Sequence, residues 1–308
     1  MISIVIPLYN KEKQAKNTLQ TVFNQTFQEF EIIIVNDGST DNSLETVQQL
    51  TDERIKIINQ ENQGVSAARN RGIEEAKYEY IALLDADDEW KSTYLEAQVG
   101  LIKDFPDCSI FACGYQFKYV DRIEPLILNR IPFLEKKGIL TNYFEVAVHS
   151  HPPLCSSTVV ARKQALLSVG GFPEGIIEGE DLLTWAKLAV RYPIAYHLEC
   201  EAFFVKDQTE NYSGEIFRIK KEKHNLGKQF EILLKENPKT KGLKQYTSHW
   251  YKMRASMFLL LGYKKESAKE SVKSLKYNLL NWKVWIYLFL LLSPKTFALS
   301  LFRKFGNS

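Results

Sequence analysis

Short apolar runs alternate with longer amphipathic stretches through the first two hundred residues. Ile2-Ser3-Ile4-Val5-Ile6, stopped by Pro7, reads as a buried strand, and residues 11–23 follow with Ala15, Leu19, Val22 and Phe23 on one helical side. Residues 31–35 form a second apolar run. It ends in Asn36-Asp37-Gly38-Ser39-Thr40-Asp41, rich in turn formers and helix N-caps. A helix through Leu50, a strand at 55–58, a helix at 64–77 and a strand at 80–84 continue the alternation. Repeated βα units predict an α/β fold with a largely parallel, Rossmann-like sheet and helices on both faces. Such sheets bind ligands at the carboxyl ends of their strands. Those ends carry Pro7-Leu8-Tyr9-Asn10, Asn36-Asp37-Gly38 and Asp85-Ala86-Asp87-Asp88.

Beyond residue 105 the pattern is mixed. Strands are expected at 109–120, 156–161 and 194–205, and helices at 163–169 and 181–190. Residues 126–139 read as a long irregular connection. In the last third, Ile216, Ile219, Leu226, Phe230, Leu233 and Leu234 recur at helical spacing, and helices are expected at 250–261 and 264–280. The apolar run 284–292 has nine residues, about half of the ~20 that span a bilayer. Ser293-Pro294-Lys295 interrupts it before 297–302 resume. The expected organisation is a catalytic domain at 1–212 and a basic helical extension at 213–308.

Charge sharpens that division. The net charge of +3 hides 20 Lys and Arg against 6 Asp and Glu in residues 215–308, and 20 against 31 before them. A basic segment of this kind suits an anionic partner. No zinc finger, RNA-binding aromatic motif or helix-turn-helix is present, so nucleic acid is not expected. Aromatic residues beside lysines on short apolar segments fit helices lying in a membrane interface. The expectation is a peripheral protein on the inner face of the cell membrane. The alternative is helices packed on the catalytic domain or on a second subunit of a homodimer. A chain of 308 residues with 45% apolar and 25% charged residues is not disordered, collagen-like or a disulfide scaffold. Its four cysteines form no C-x-x-C pair and its N-terminus carries no secretory pattern, which points to the cytoplasm.

The carboxylates supply the candidate chemistry. Asp85, Asp87 and Asp88 crowd one turn after a strand, and such carboxylates repel unless a cation or hydrogen-bond donors neutralise them. All-oxygen ligands suit Mg²⁺ or Mn²⁺ shared with a diphosphate, whereas an acidic solvated turn is the plain alternative. Asp37 and Asp41 follow the second strand, where a carboxylate accepts from a base N–H or a ribose hydroxyl; Asp41 equally suits a helix cap. Glu180-Asp181 opens a helix whose dipole stabilises a carboxylate, as cap or as general base. His149, His151 and Cys155 match no usual zinc spacing, and Pro152-Pro153 makes that stretch a loop.

Together these segments resemble the family 2 glycosyltransferases, which have the GT-A fold. The matching stretches are residues 3–10, 33–41, Asn62-Gln63-Gly64-Val65-Ser66-Ala67-Ala68-Arg69-Asn70, 84–88, Gly170-Gly171-Phe172 and Glu180-Asp181, in the family's order. The resemblance implies a nucleotide-diphosphate sugar donor, a UDP-sugar by family weight, a divalent metal and inversion at the anomeric carbon. It also implies a lipid-linked or cell-surface glycan acceptor. It places Pro7, Tyr9, Asn10, Asp37, Asp41, Gly64, Arg69, Asp85 and Ala86 around the nucleotide. It makes Asp85-Ala86-Asp87 the DxD motif, with Asp87 and Asp85 on the metal, and Asp181 the base with Glu180 beside it. One place departs from the family: residues 205–213 hold no His, the nearest being His197 and His224. A nucleotidyltransferase is the alternative enzyme, disfavoured because Leu8-Tyr9-Asn10-Lys11-Glu12 lacks a glycine for a triphosphate loop. A non-catalytic sugar-nucleotide or membrane-binding scaffold is the other.

Overall fold

A computed structural model of the chain describes residues 1–176, 179–206 and 226–293. The chain divides into two compact units. The first, residues 1–143 and 150–226, is built on a mixed sheet. Its strands are β1 (Ile2–Leu8), β2 (Phe30–Asp37), β3 (Ile55–Gln60), β4 (Tyr80–Leu83), β5 (Glu89–Trp90), β6 (Ile110–Lys118), β7 (Ile123–Pro125), β8 (Lys137–Ile139), β9 (Val159–Arg162) and β10 (Ile194–Val205). They lie in the order β3-β2-β1-β4-β9-β6-β10-β5, with β7 on β6 and β8 on β10.

The expected parallel βα half is present: β3, β2, β1 and β4 are mutually parallel. All seven residues of β1 are buried, as a strand covered on both faces requires. Ile2, Ile4, Ile6 and Leu8 share a core with Ala15, Leu19 and Val22 of α1 (Ala15–Phe23). The alternate side chain Val5 meets α3 (Val65–Glu75), where a Cβ on Gly72 would run into the Val5 side chain. The strand does not stop at Pro7. It continues to Leu8, because β4 pairs with β1 only from Ile2 to Val5 and Pro7 forfeits no bond on that side. Ser3 is the one polar residue in the expected run. Its hydroxyl donates to Glu31 at 2.6 Å and accepts from the Tyr78 amide at 3.1 Å.

The second half differs from a plain βα repeat. β9 runs antiparallel to both β4 and β6, whereas β10 is parallel to β6 with a bulge between His197 and Ala202. The expected strand at 156–161 starts as a 3₁₀ turn, Ser156–Thr158, before β9. The irregular connection 126–139 ends in the short strand β8. Helices α2 (Ser43–Gln48), α4 (Tyr94–Asp104), α6 (Lys163–Ser168) and α7 (Glu180–Arg191) complete this unit. Most of the His-free stretch 205–213 and His224 lie outside the described residues, as does the expected boundary at 212/213.

The second unit, residues 144–149 and 227–308, takes most of α5 (Tyr143–His149) and of α8 (Leu226–Glu236), with α9 (Leu243–Leu260), α10 (Lys264–Tyr277) and α11 (Trp282–Leu291). Helix α9 begins seven residues before the expected 250, and α10 stops before Asn278. An aromatic cluster holds α8 to α9, with Phe230 edge-on to Tyr246 and Trp250 at ring-centroid distances of 5.3 and 5.6 Å. Helices α9 and α10 pack antiparallel along a serine seam: Ser248 donates to the Ser274 carbonyl at 2.9 Å and Ser267 to the Ala255 carbonyl at 2.8 Å. The resumed apolar run 297–302 lies outside the described residues. Among those described, no helix is long and apolar enough to cross a membrane.

Candidate active site

The carboxyl ends of the parallel strands open into a cleft of about 640 Å³. From β1 come Pro7, Tyr9, Asn10 and Lys11; from β2, Asp37; from the start of α3, Gly64 and Arg69. The turn after β4 supplies Asp85, Ala86 and Asp87, and the start of α7 supplies Glu180 and Asp181. Eleven of the twelve residues expected at the site from sequence therefore line one cavity. The twelfth, Asp41, does not. Its carboxylate accepts from the Ser43 amide at 3.0 Å and the Glu12 amide at 3.1 Å, and also takes the Ser43 hydroxyl. Burial works against its charge, but these donors outweigh it and hold its pKa below the usual carboxylate value.

Each carboxylate has its own environment. Asp37 is 2% exposed and fully engaged. One oxygen accepts from Gln60 Nε2 at 2.7 Å and the Gln63 amide at 2.9 Å, and the other accepts from the Gly64 amide at 2.8 Å. Asp37 thus fixes the loop that carries Gly64 into the cleft. Asn10 does similar work on the opposite side. It sits at a φ of 51°, in the left-handed region that Asn tolerates, and its Oδ1 accepts from the Thr40 amide at 2.8 Å.

Arg69 ties the acidic motifs together. It is 3% exposed; Nη2 donates to Asp85 at 2.7 Å and Nη1 to Glu180 at 2.9 Å. Burial opposes its charge, yet Asp85 and Glu180 raise its pKa, so it stays protonated. Phe172 lies beneath the guanidinium, 5.0 Å from ring centre. Lys11 pairs with Asp87. Asp88 leaves the group: it accepts from the Ser157 hydroxyl at 2.5 Å and the Val205 amide at 3.0 Å, and is buried. Burial, with Asp85 and Asp87 nearby, pushes its pKa up. Its two contacts turn it toward Ser157 and β10, and it does not line the cleft.

Asp181 stands in the first turn of α7 and accepts from the Leu182 amide at 2.7 Å. Burial pushes its pKa up to about 7 and the Glu180 charge adds to this, while Arg69 opposes it. A carboxylate with that value suits a general base near neutral pH. Asp85 and Asp87 each keep carboxylate oxygens beyond the single cation contact they make, a hard all-oxygen donor set that fits Mg²⁺ or Mn²⁺. Another convergent set among the described residues, His197, Glu199 and Glu201 on β10, has ligand atoms within 4.8 Å of one another. Its charges already have partners: Lys136 pairs with Glu199 at 2.5 Å and Thr93 donates to Glu201 at 2.6 Å.

Sequence reasoning missed several lining residues. Lys11, Cys155, Ser156 and Phe204 face the cleft with the acidic groups. Lys11 follows the first motif directly and a search for cations near it finds it. Phe204 arrives from β10 through tertiary packing and has no local signal.

Three comparisons bear on this geometry. The model of "Glycosyl transferase family 2" matches residues 3–158. The uncharacterized glycosyltransferase YibD of Escherichia coli (strain K12) is 43% identical over 142 residues, which is 46% of this chain and 41% of that protein. Glycosyltransferase GlyG of Streptococcus pneumoniae serotype 4 is 43% identical over 99 residues, 31% of this chain and 33% of that protein. The chain spans less than half the length of either relative. The crystal structure of S. aureus TarS 1-349 in complex with UDP-GlcNAc superposes with a TM-score of 0.68 over 96% of this chain and 86% of that one, at 18% identity. That likeness shows a shared fold.

Proposed function

Because this chain belongs to glycosyl transferase family 2, we propose that it is an inverting, metal-dependent glycosyltransferase. It would move a hexosyl or N-acetylhexosaminyl group from a nucleotide-diphosphate sugar to a hydroxyl of a lipid-linked or cell-surface glycan. The observation that carries this reading is the convergence of Asp37, Asp85, Asp87 and Asp181 on one cleft. A UDP-sugar is the proposed donor, supported by the shared fold with a protein crystallised with UDP-GlcNAc.

Pro7, Tyr9, Asn10 and the loop fixed by Asp37 form the nucleotide end of the cleft. Asp41 shapes that end through Ser43 rather than touching the base. Asp87 and Asp85 would hold the divalent ion, which when bound neutralises charge on the departing diphosphate. Lys11 adds a positive charge at the same place. At the other end, Asp181 takes the proton of the acceptor hydroxyl as that oxygen attacks the anomeric carbon opposite the leaving group. Glu180 and Arg69 hold the α7 terminus that aims Asp181. Residues 1–212 are proposed as the catalytic domain, and 213–308 as the extension that keeps the protein peripheral on the inner face of the membrane.

A thermal-shift screen of nucleotide sugars with and without Mn²⁺, followed by product analysis, tests the reading. The expected result is a Mn²⁺-dependent shift with one donor and release of free nucleoside diphosphate. Pyrophosphate as the product would turn the assignment to a nucleotidyltransferase, and a shift without turnover, or no shift with any donor, would leave the scaffold reading.

A further inference from the structure

Helix α11 is apolar apart from Lys283, and its buried residues lie on one face. Val284 and Leu290 are buried, with Leu290 beside Leu259, Tyr287 and Leu291. The other face carries Trp282, Trp285, Ile286, Phe289 and Leu292 at helical spacing, and all five are exposed. Leu279 and Leu280, 69% and 89% exposed, extend this face around the corner from α10. Trp285 fixes that corner by donating from its indole N–H to the Leu279 carbonyl at 2.9 Å. Contiguous apolar surface of this kind marks an interaction site in a soluble fold.

The neighbouring helix supplies charge. On α10, Lys265, Lys269 and Lys276 stand exposed along one stripe that runs toward Leu279. Its one buried carboxylate, Glu270, is already held by Lys273 at 2.9 Å and Arg254 at 3.4 Å. After Glu270 the chain has six basic residues and no acidic one.

We propose that the exposed face of α11, with the Leu279-Leu280 corner and the α10 lysine stripe, is a docking surface for an anionic lipid bilayer. The apolar face enters the headgroup–acyl boundary while the lysines meet the phosphates. Ten residues give a helix of about 15 Å, which lies in the interface and does not cross it. Tryptophan is the side chain enriched at that depth. A second copy of this chain fits less well: a two-fold contact through this face would bring two lysine stripes together. Residues 294–308 contain no Asp or Glu to offset them. The inference rests on the peripheral placement of residues 213–308 proposed above and names the surface that makes it; the glycosyl-transfer chemistry of the cleft does not enter it, so that chemistry and this surface can fail separately.

The test is co-sedimentation of the full chain with vesicles of phosphatidylcholine alone, or with phosphatidylglycerol in equal parts. Binding is expected only to the anionic vesicles and should weaken with salt. W285E/F289E and K265Q/K269Q/K276Q should each lower partitioning about tenfold or more while the unfolding midpoint holds. If W285E/F289E fails to fold, L280E at the exposed corner makes the same test. Undiminished binding by the folded variants would overturn the proposal. So would an absence of binding to the anionic vesicles by the wild-type chain, and a dimer that W285E/F289E converts to monomer would then assign the face to a second copy.

Discussion

The side-chain amide of Asn70 pairs with the main chain of Phe172 as one strand pairs with another. Its Oδ1 accepts from the Phe172 amide at 2.7 Å, and its Nδ2 donates to the Phe172 carbonyl at 2.8 Å. The residues are 102 positions apart. This pair seats the Gly170-Gly171-Phe172 turn against α3, placing the Phe172 ring under Arg69 and against Trp185 at 5.6 Å. Three sequence motifs thereby become one support for the acidic cleft.

Asn70→Ala should therefore destabilise the fold by about 1–3 kcal/mol, because it strands two main-chain groups. Urea unfolding followed by fluorescence measures this. A midpoint equal to wild type would show that the pair is incidental.

Gly38 occupies a φ of +69°, and a Cβ there would stand 2.8 Å from the Asn62 amide nitrogen. Gly38→Ala should cost about 1–3 kcal/mol through strain and clash. It should also weaken nucleotide binding, since it displaces the loop beside Asp37. Calorimetry with UDP reports the second effect, and unchanged affinity would argue that the loop is uninvolved.

As general base, Asp181 must be ionised. Its pKa is raised to about 7, so kcat/KM should rise with pH through an acidic limb near that value and flatten above it. Asp181→Asn should lower turnover roughly 10²–10⁴-fold. Arg69 holds this pKa down, so Arg69→Met should move the limb to higher pH. A pH–rate profile of wild type and both variants decides the matter, and near-wild-type transfer by Asp181→Asn would remove it as base.

Removing the ion should abolish transfer. With EDTA, turnover should fall by about two orders of magnitude or more, because the ion is worth several kcal/mol on the leaving diphosphate. Mn²⁺ should restore it in wild type but not in Asp87→Asn. Full turnover after exhaustive chelation would exclude the metal reading.

The parallel half of the sheet was legible in the chain because β1, β2 and β4 are nearly continuous apolar runs closed by turn residues, a local pattern. The carboxylates of the site were legible for a related reason. Strand ends in such sheets fall on one rim, so Asp37, Asp85 and Asp87 had to approach one another. Local pattern could not reveal that β9 runs antiparallel between β4 and β6, since strand direction is set by partners far along the chain. Nor could it separate Asp88 from Asp87, adjacent residues of the same type. Burial against Ser157 and the Val205 amide makes one a brace, while exposure beside Lys11 leaves the other in the cleft. The sequence by itself determined which carboxylates reach the rim of the sheet; tertiary packing decided which of them face the cleft and which partners they meet, because desolvation and charge partners act through space and not along the backbone.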